Sequence, residues 1–359
     1  MYFCYMTTAQ VNYVNIALMI FSAIVAFIIP FELFLFSYAV LGPLHYLTEI
    51  GWLHKRKYFS PKKYDYLPLI LITLLIAIPA ITTYVITHTA VRNGAGQIIL
   101  KPGQYDFIQF LTTQNPATAL IFIAFSISLI FVLIQDNTKR LIACILAVVI
   151  GILIRLNAFT EVLFAMFLPT LIHVFLFTGA FILVGALKSK STSGYLSIVV
   201  FLGCAFSFFL IATDGGGYVI SEYAKGSYDV SFFTLNEQIF RSFLHIDNPD
   251  AGMIYGSSTG ILITRFIAYA YTYHYLNWFS KTSVIKWHDV PKPWLVTIFA
   301  LWIASVALYY TNYETGLMCL YFLSFLHVVL EFPLNFQSFK QIGEQIRSRF
   351  LSKAPASGG

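Results

Sequence analysis

The chain has 359 residues, of which 58% are hydrophobic and only 11% charged, and its mean hydropathy is +0.75. A soluble globular protein carries roughly 25% charged residues, so this composition excludes a water-soluble fold. The formal net charge of +6 does not indicate a nucleic-acid partner. The Lys and Arg residues lie in short segments between apolar runs, where they act as topology signals.

Ten segments are long and apolar enough to cross a bilayer as helices, since ~20 residues span the hydrocarbon core. They lie near residues 13–30, 33–54, 67–88, 117–135, 140–157, 160–187, 194–213, 259–280, 294–311 and 315–333. Pro30 and Glu32 divide the first two, which together form an apolar run too long for one crossing. We predict an all-α membrane bundle of about ten transmembrane helices, with residues 1–335 forming one transmembrane domain.

The basic residues set the expected orientation. They cluster at residues 54–63, 139–140, 188–190 and 281–292 and in a basic amphipathic tail, residues 336–359. With ten spans and both termini in the cytoplasm, all these groups fall on the cytoplasmic side, where Lys and Arg are enriched. The acidic loops 89–116 and 214–258 are then outside, and residues 234–244 are expected to form a short interfacial helix. We expect an integral membrane protein of a bacterial inner membrane.

Four predicted spans each carry one histidine: His45, His173, His274 and His327. An ionisable side chain in hydrocarbon costs at least a few kcal/mol, so each needs a partner or a task. Counted from the cytoplasmic ends of the spans, the four lie within roughly 12 Å of depth. This spread fits a single layer in the inner half of the bilayer.

Two of these histidines are followed one helical turn later by a carboxylate, in His45-x-x-x-Glu49 and His327-x-x-x-Glu331. Residues four apart share a helix face. Imidazole and carboxylate on one face suit a metal centre, where the carboxylate binds the ion or orients a ligating ring. A single intramembrane histidine is more often a hydrogen-bond donor between helices, but the repetition favours a metal.

The predicted metal ligands are therefore His45, His173, His274 and His327, with Glu49 and Glu331 as ligands or as groups that orient the rings. Glu49 and Glu331 are also catalytic candidates. Asn277, three residues after His274, is a third, since its amide could orient a ligand or substrate. Non-heme iron, as one or two ions, is the expected cofactor, because oxygen chemistry on hydrocarbons needs a redox metal. Heme is less favoured.

The stretch Gly42-Pro43-Leu44-His45 and the later isolated histidines resemble the Brp/Blh-type membrane β-carotene dioxygenases. That resemblance implies an all-helical enzyme with four histidines around one iron. The pattern differs at one point, because Trp278 stands four residues after His274, where the family has a second histidine.

The leading interpretation is a metal-dependent oxidoreductase or oxygenase acting on a lipid-like or polyene substrate within the bilayer, with O2 as co-substrate. A second interpretation is a proton-coupled or metal-ion transporter that uses the same His and Glu residues. A heme-binding electron carrier is a third. A membrane lipid or apolar small molecule is the expected partner, and no nucleic-acid partner is expected.

Overall fold

The computed structural model describes residues 6–93, 97–113, 116–154, 158–211, 218–281 and 290–351. The described chain is almost entirely helical. In chain order the helices are α1 (Thr8–Ile28), α2 (Pro30–Lys55), α3 (Tyr66–Thr89), α4 (Pro102–Thr113), α5 (Ala117–Leu133), α6 (Asn137–Ile154), α7 (Phe159–Ser189), α8 (Thr192–Leu210), α9 (Glu222–Asp229), α10 (Phe233–Leu244), α11 (Ala251–Gly256), α12 (Ser258–Ser280), α13 (Lys292–Thr311) and α14 (Tyr313–Leu351). A short antiparallel hairpin, β1 (Val91–Arg92) and β2 (Ile98–Ile99), follows α3.

The all-α prediction is confirmed. Among the described residues, seven helices are long and apolar enough to cross a membrane: α1, α2, α3, α7, α8, α13 and α14. A helix lies over each of the ten predicted spans, although residues 155–157, at the end of the fifth, and residues 212–213, at the end of the seventh, lie outside the described residues. The number of crossings and the side of the termini stay predictions.

The chain divides into two compact units. The first unit comprises Met1–His45, Thr170–Ala304 and Leu334–Gly359, and the second comprises Tyr46–Pro169 and Ser305–Pro333. The predicted single domain over residues 1–335 stays a prediction. Its boundary with the basic tail falls inside α14, which runs without a break to Leu351, and residues 352–359 of that tail lie outside the described residues.

Helix α12 forms the centre of the first unit, where it packs against α1, α2 and α8. Most of its side chains are buried, although many are Tyr or Thr. Hydrogen bonds join it to its neighbours: Ser37 and Thr272 share one of 2.7 Å, and Tyr273 donates to Asn15 at 3.2 Å. A helix surrounded by protein needs no lipid-facing surface, which explains why α12 is more polar than the seven apolar helices.

Two of the helices contain π-helical turns. In α2 the turn covers Ser37–Leu41, and the Gly42 N–H donates to the Ser37 carbonyl. In α7 the π-helical segment covers Val162–Phe177 and contains Pro169. Proline lacks the N–H of a regular helical hydrogen bond, and π-helical turns occur frequently at functional sites. The turn in α2 lies just before His45, and the segment in α7 contains His173.

A buried ion pair organises the second unit. Arg140, near the start of α6, donates to the carboxylate of Asp65 at 2.7 Å, and both side chains are buried. Ser60 also donates to this carboxylate, and the Arg140 guanidinium lies 4.2 Å from the ring centre of Phe131. The pair therefore ties the segment before α3 to α6.

Residues 218–258, the described part of the predicted outer loop 214–258, contain three short helices, α9, α10 and α11. The helix expected at residues 234–244 is present as α10, and its interfacial position stays a prediction. Glu32 at the start of α2 accepts hydrogen bonds from the Tyr218 hydroxyl at 2.6 Å and from Ser221 at 3.2 Å. Burial, together with this carboxylate, raises the pKa of Tyr218, so its hydroxyl remains a donor. These contacts attach the segment before α9 to α2.

Candidate metal centre

Three imidazoles converge within the first unit. α2 carries His45, α7 carries His173 and α12 carries His274, and all three are buried. The Nε2 atoms of His45 and His274 are 3.2 Å apart. The ring centroid of His173 lies 4.9 Å from that of His274. The structure thus brings together three of the four predicted histidines, with His274 between the other two.

A threonine lies behind the central imidazole. The Thr178 hydroxyl is buried and lies 2.8 Å from Nδ1 of His274. When Nδ1–H donates to this oxygen, Nε2 carries the lone pair and faces His45. Metal-binding histidines commonly use their second nitrogen in this way, because the hydrogen bond fixes both the tautomer and the ring orientation. Thr178 was not among the residues that the sequence pattern predicted for the site.

The spacing of the two Nε2 atoms fits a shared metal ion. Imidazole nitrogens bind such ions at about 2.0–2.1 Å, so two neighbouring ligands of one ion lie roughly 3 Å apart. The observed 3.2 Å agrees with this value. The same distance also suits a direct hydrogen bond between the rings.

Aromatic side chains surround the histidines. The His45 ring centroid lies 5.2 Å from that of Tyr275, 5.5 Å from Trp278 and 6.5 Å from Phe279. A Cβ atom added to Gly42 would lie 3.3 Å from the Tyr275 hydroxyl, so the absence of a side chain there gives Tyr275 its place beside His45. These groups give His45 largely aromatic surroundings.

The geometry of the site rests on three helices and one supporting hydroxyl. No protein-family model, curated protein or solved structure matches this chain.

The other predicted ligands belong to the second unit. His327 and Glu331 lie on α14 and Glu49 lies on α2, and all three side chains are buried. The ring of Tyr46, in the same unit, has its centroid 5.7 Å from that of His327. Their participation in a centre with His45, His173 and His274 stays a prediction.

Asn277 takes part in a hydrogen-bond network that reaches α1. Its side-chain oxygen lies 3.4 Å from the Tyr273 hydroxyl, and its backbone carbonyl accepts from Ser280. Tyr273 and Ser280 both donate to Asn15 of α1. This network holds α12 against α1, and a catalytic role of Asn277 stays a prediction.

Replacing Thr178 with valine tests whether the hydroxyl supports a metal ligand. Thr178→Val preserves the side-chain shape but removes the partner of His274 Nδ1, so we expect metal affinity to fall roughly 10–100-fold. Thr178→Ser keeps the hydroxyl and should retain most of the affinity. Competition with a chelator of known affinity measures the change. Equal affinities in all three proteins would show that Thr178 does not act through the metal site.

Proposed function

We propose that the chain is an integral-membrane, metal-dependent oxidoreductase, with non-heme iron as its cofactor and a bacterial inner membrane as its location. The observation that supports this proposal is that the side chains of His45, His173 and His274 lie together in one buried region lined by aromatic residues. One or two ions are proposed, because six side chains of suitable chemistry were identified in the sequence.

His45, His173 and His274 supply the imidazole ligands in this proposal. His327 is proposed as the fourth, on the strength of the sequence pattern. Glu49 and Glu331 either bind the ion through oxygen or orient an imidazole. Asn277 remains the proposed substrate-orienting amide.

Iron is preferred over zinc because of the apolar surroundings. Neutral imidazole binds both metals, but zinc hydrolysis requires water at the site. Bound iron supplies one-electron and O2 chemistry, for which the protein provides binding, orientation and exclusion of competing reactions. Heme is disfavoured because it uses at most two axial ligands from the protein, whereas three imidazoles are clustered.

The aromatic rings beside His45 support an apolar substrate, such as a lipid or a polyene, with O2 as co-substrate. Trp278 and Tyr275 offer flat apolar surfaces to such a molecule and limit the access of water. Burial of apolar surface would contribute most of its binding energy, at roughly 25 cal/mol per Å². The chain's own groups thus bind and position the substrate and keep the site dry.

A transporter is the second candidate, favoured by the two buried carboxylates Glu49 and Glu331. Intramembrane carboxylates frequently mark proton or ion pathways. In that case the histidines would bind a metal ion only in transit. A heme-binding electron carrier, the third interpretation, would show a Soret absorption band.

Metal analysis and redox cycling of the detergent-purified protein test the proposed function. We expect about one or two iron ions per chain, which dithionite reduces and O2 reoxidises. A His88→Gln variant is the matched control, because this histidine lies at the end of α3 with a partly exposed side chain. A metal-free protein that carries protons or added metal ions across liposome membranes would favour the transporter and contradict the oxidoreductase.

A further inference from the structure

A cleft of about 330 Å³ lies within the second unit, and none of the residues proposed above lines it. α3, α4, α5 and α14 all contribute to its walls. Its volume falls at the small end of the range of ligand-binding pockets, ~300–1,000 Å³. Size and location therefore suggest a second binding site, which does not depend on the proposed metal centre.

The cleft is elongated, and its lining changes from apolar to polar along its length. α3 lines it from Ile76 to Thr87, a distance of about 16 Å at 1.5 Å per residue. Ile76, in the middle of α3, and Met318 of α14 line its apolar part, whereas Thr83, Thr87 and Glu314 line it toward the end of α3. The Glu314 side chain is 31% exposed, so the polar end lies at the surface. This gradient suits an amphiphile with its head at the surface and its chain along α3.

The carboxylate at the polar end already has a hydrogen-bond partner. Nδ1 of His88 lies 3.0 Å from the Tyr84 carbonyl oxygen and 3.3 Å from the Thr87 hydroxyl, and Nε2 lies 3.3 Å from the Glu314 carboxylate. The imidazole is thus held at the mouth of the cleft beside Glu314. An uncharged head group leaves this contact between His88 and Glu314 in place.

Hydroxyl groups also lie at this end of the cleft. The Tyr84 and Thr315 hydroxyls share a hydrogen bond of 2.7 Å, and Thr87 donates to the Thr83 carbonyl at 3.0 Å. Because a hydroxyl both donates and accepts, such a group of hydroxyls recognises an alcohol well. We infer that the cleft binds a single-chain amphiphile with an uncharged hydroxyl head group.

Photolabelling of the full chain in lipid nanodiscs tests this inference. The probe is a long-chain alcohol with a diazirine at the end of its chain, and mass spectrometry locates the label. We expect labelling at Met318 or Tyr321, at the inner end of the cleft, and at least a fivefold loss in Ala80→Phe, which fills the cleft. Ile78→Phe is the matched control, since Ile78 lies on the exposed side of α3 and should leave labelling unchanged.

Competition identifies the head group. Unlabelled 1-decanol should reduce labelling several-fold more than decanoate or decylamine, which share its chain length. Thr83→Val, which preserves side-chain shape, should weaken the effect of 1-decanol if Ala80→Phe fails to fold. Labelling spread evenly over the lipid-facing side of α3 would overturn the binding site, and stronger competition by decanoate or decylamine would overturn the uncharged head group.

Discussion

Replacing His274 with alanine is expected to remove the bound metal, leaving less than about a tenth of the wild-type content. His274 is the central imidazole of the first unit: its Nε2 faces His45, its ring lies beside that of His173, and its Nδ1 contacts Thr178. Its loss would remove a ligand and leave a gap between the other two rings. Elemental analysis of the purified protein measures this effect.

Controls separate loss of a ligand from loss of the fold. His45→Ala and His173→Ala should each lower the metal content, whereas His245→Asn should not, because His245 is exposed at the end of α10. Each variant should be monodisperse and as helical as the wild type. A well-folded His274→Ala protein with full metal content would show that the three imidazoles do not bind the ion.

Replacing Arg140 with leucine is expected to destabilise the second unit by about 3–5 kcal/mol, because it leaves the buried Asp65 carboxylate without its counterion. Reversible unfolding in mixed micelles measures the free-energy change. The double variant Asp65→Asn/Arg140→Leu should recover part of the loss, since no uncompensated charge remains.

The neighbouring Lys139 provides the matched control for this prediction. Its side chain is exposed, so Lys139→Leu should change the unfolding free energy by no more than about 0.5 kcal/mol. If Arg140→Leu were as stable as this control, the ion pair would contribute nothing to folding, and the connection between α6 and the segment before α3 would need another cause.

The hydropathy of the sequence was sufficient to predict where along the chain the long helices lie, because a membrane helix must be apolar over a known length. Hydropathy also located α12. Its Tyr and Thr residues make it less apolar, which is possible because it lies inside the first unit. The short elements in loops 89–116 and 214–258 were mostly missed, because no membrane constrains their composition. The continuity of α14 past Pro333 was missed as well, because proline usually ends or bends a helix.

The sequence predicts the part of the site that consists of ionisable side chains in apolar segments. His45, His173 and His274 stand out for this reason, and the structure brings them together. Thr178 was not predictable from a regular helical pattern. It lies five residues after His173, about 140° away around an α-helix, and the π-helical turns that precede it alter that relationship. Threonine is also common in apolar segments, so its presence there does not indicate a functional role.

X-ray absorption at the iron edge tests the central claim most directly, because it reports the atoms bound to the metal without requiring a known substrate. We predict nitrogen ligands at about 2.1 Å with the multiple scattering of imidazole rings, and a weaker imidazole signal in His45→Ala. An iron-loaded wild-type protein whose spectrum lacks imidazole scattering would contradict a centre built on His45, His173 and His274.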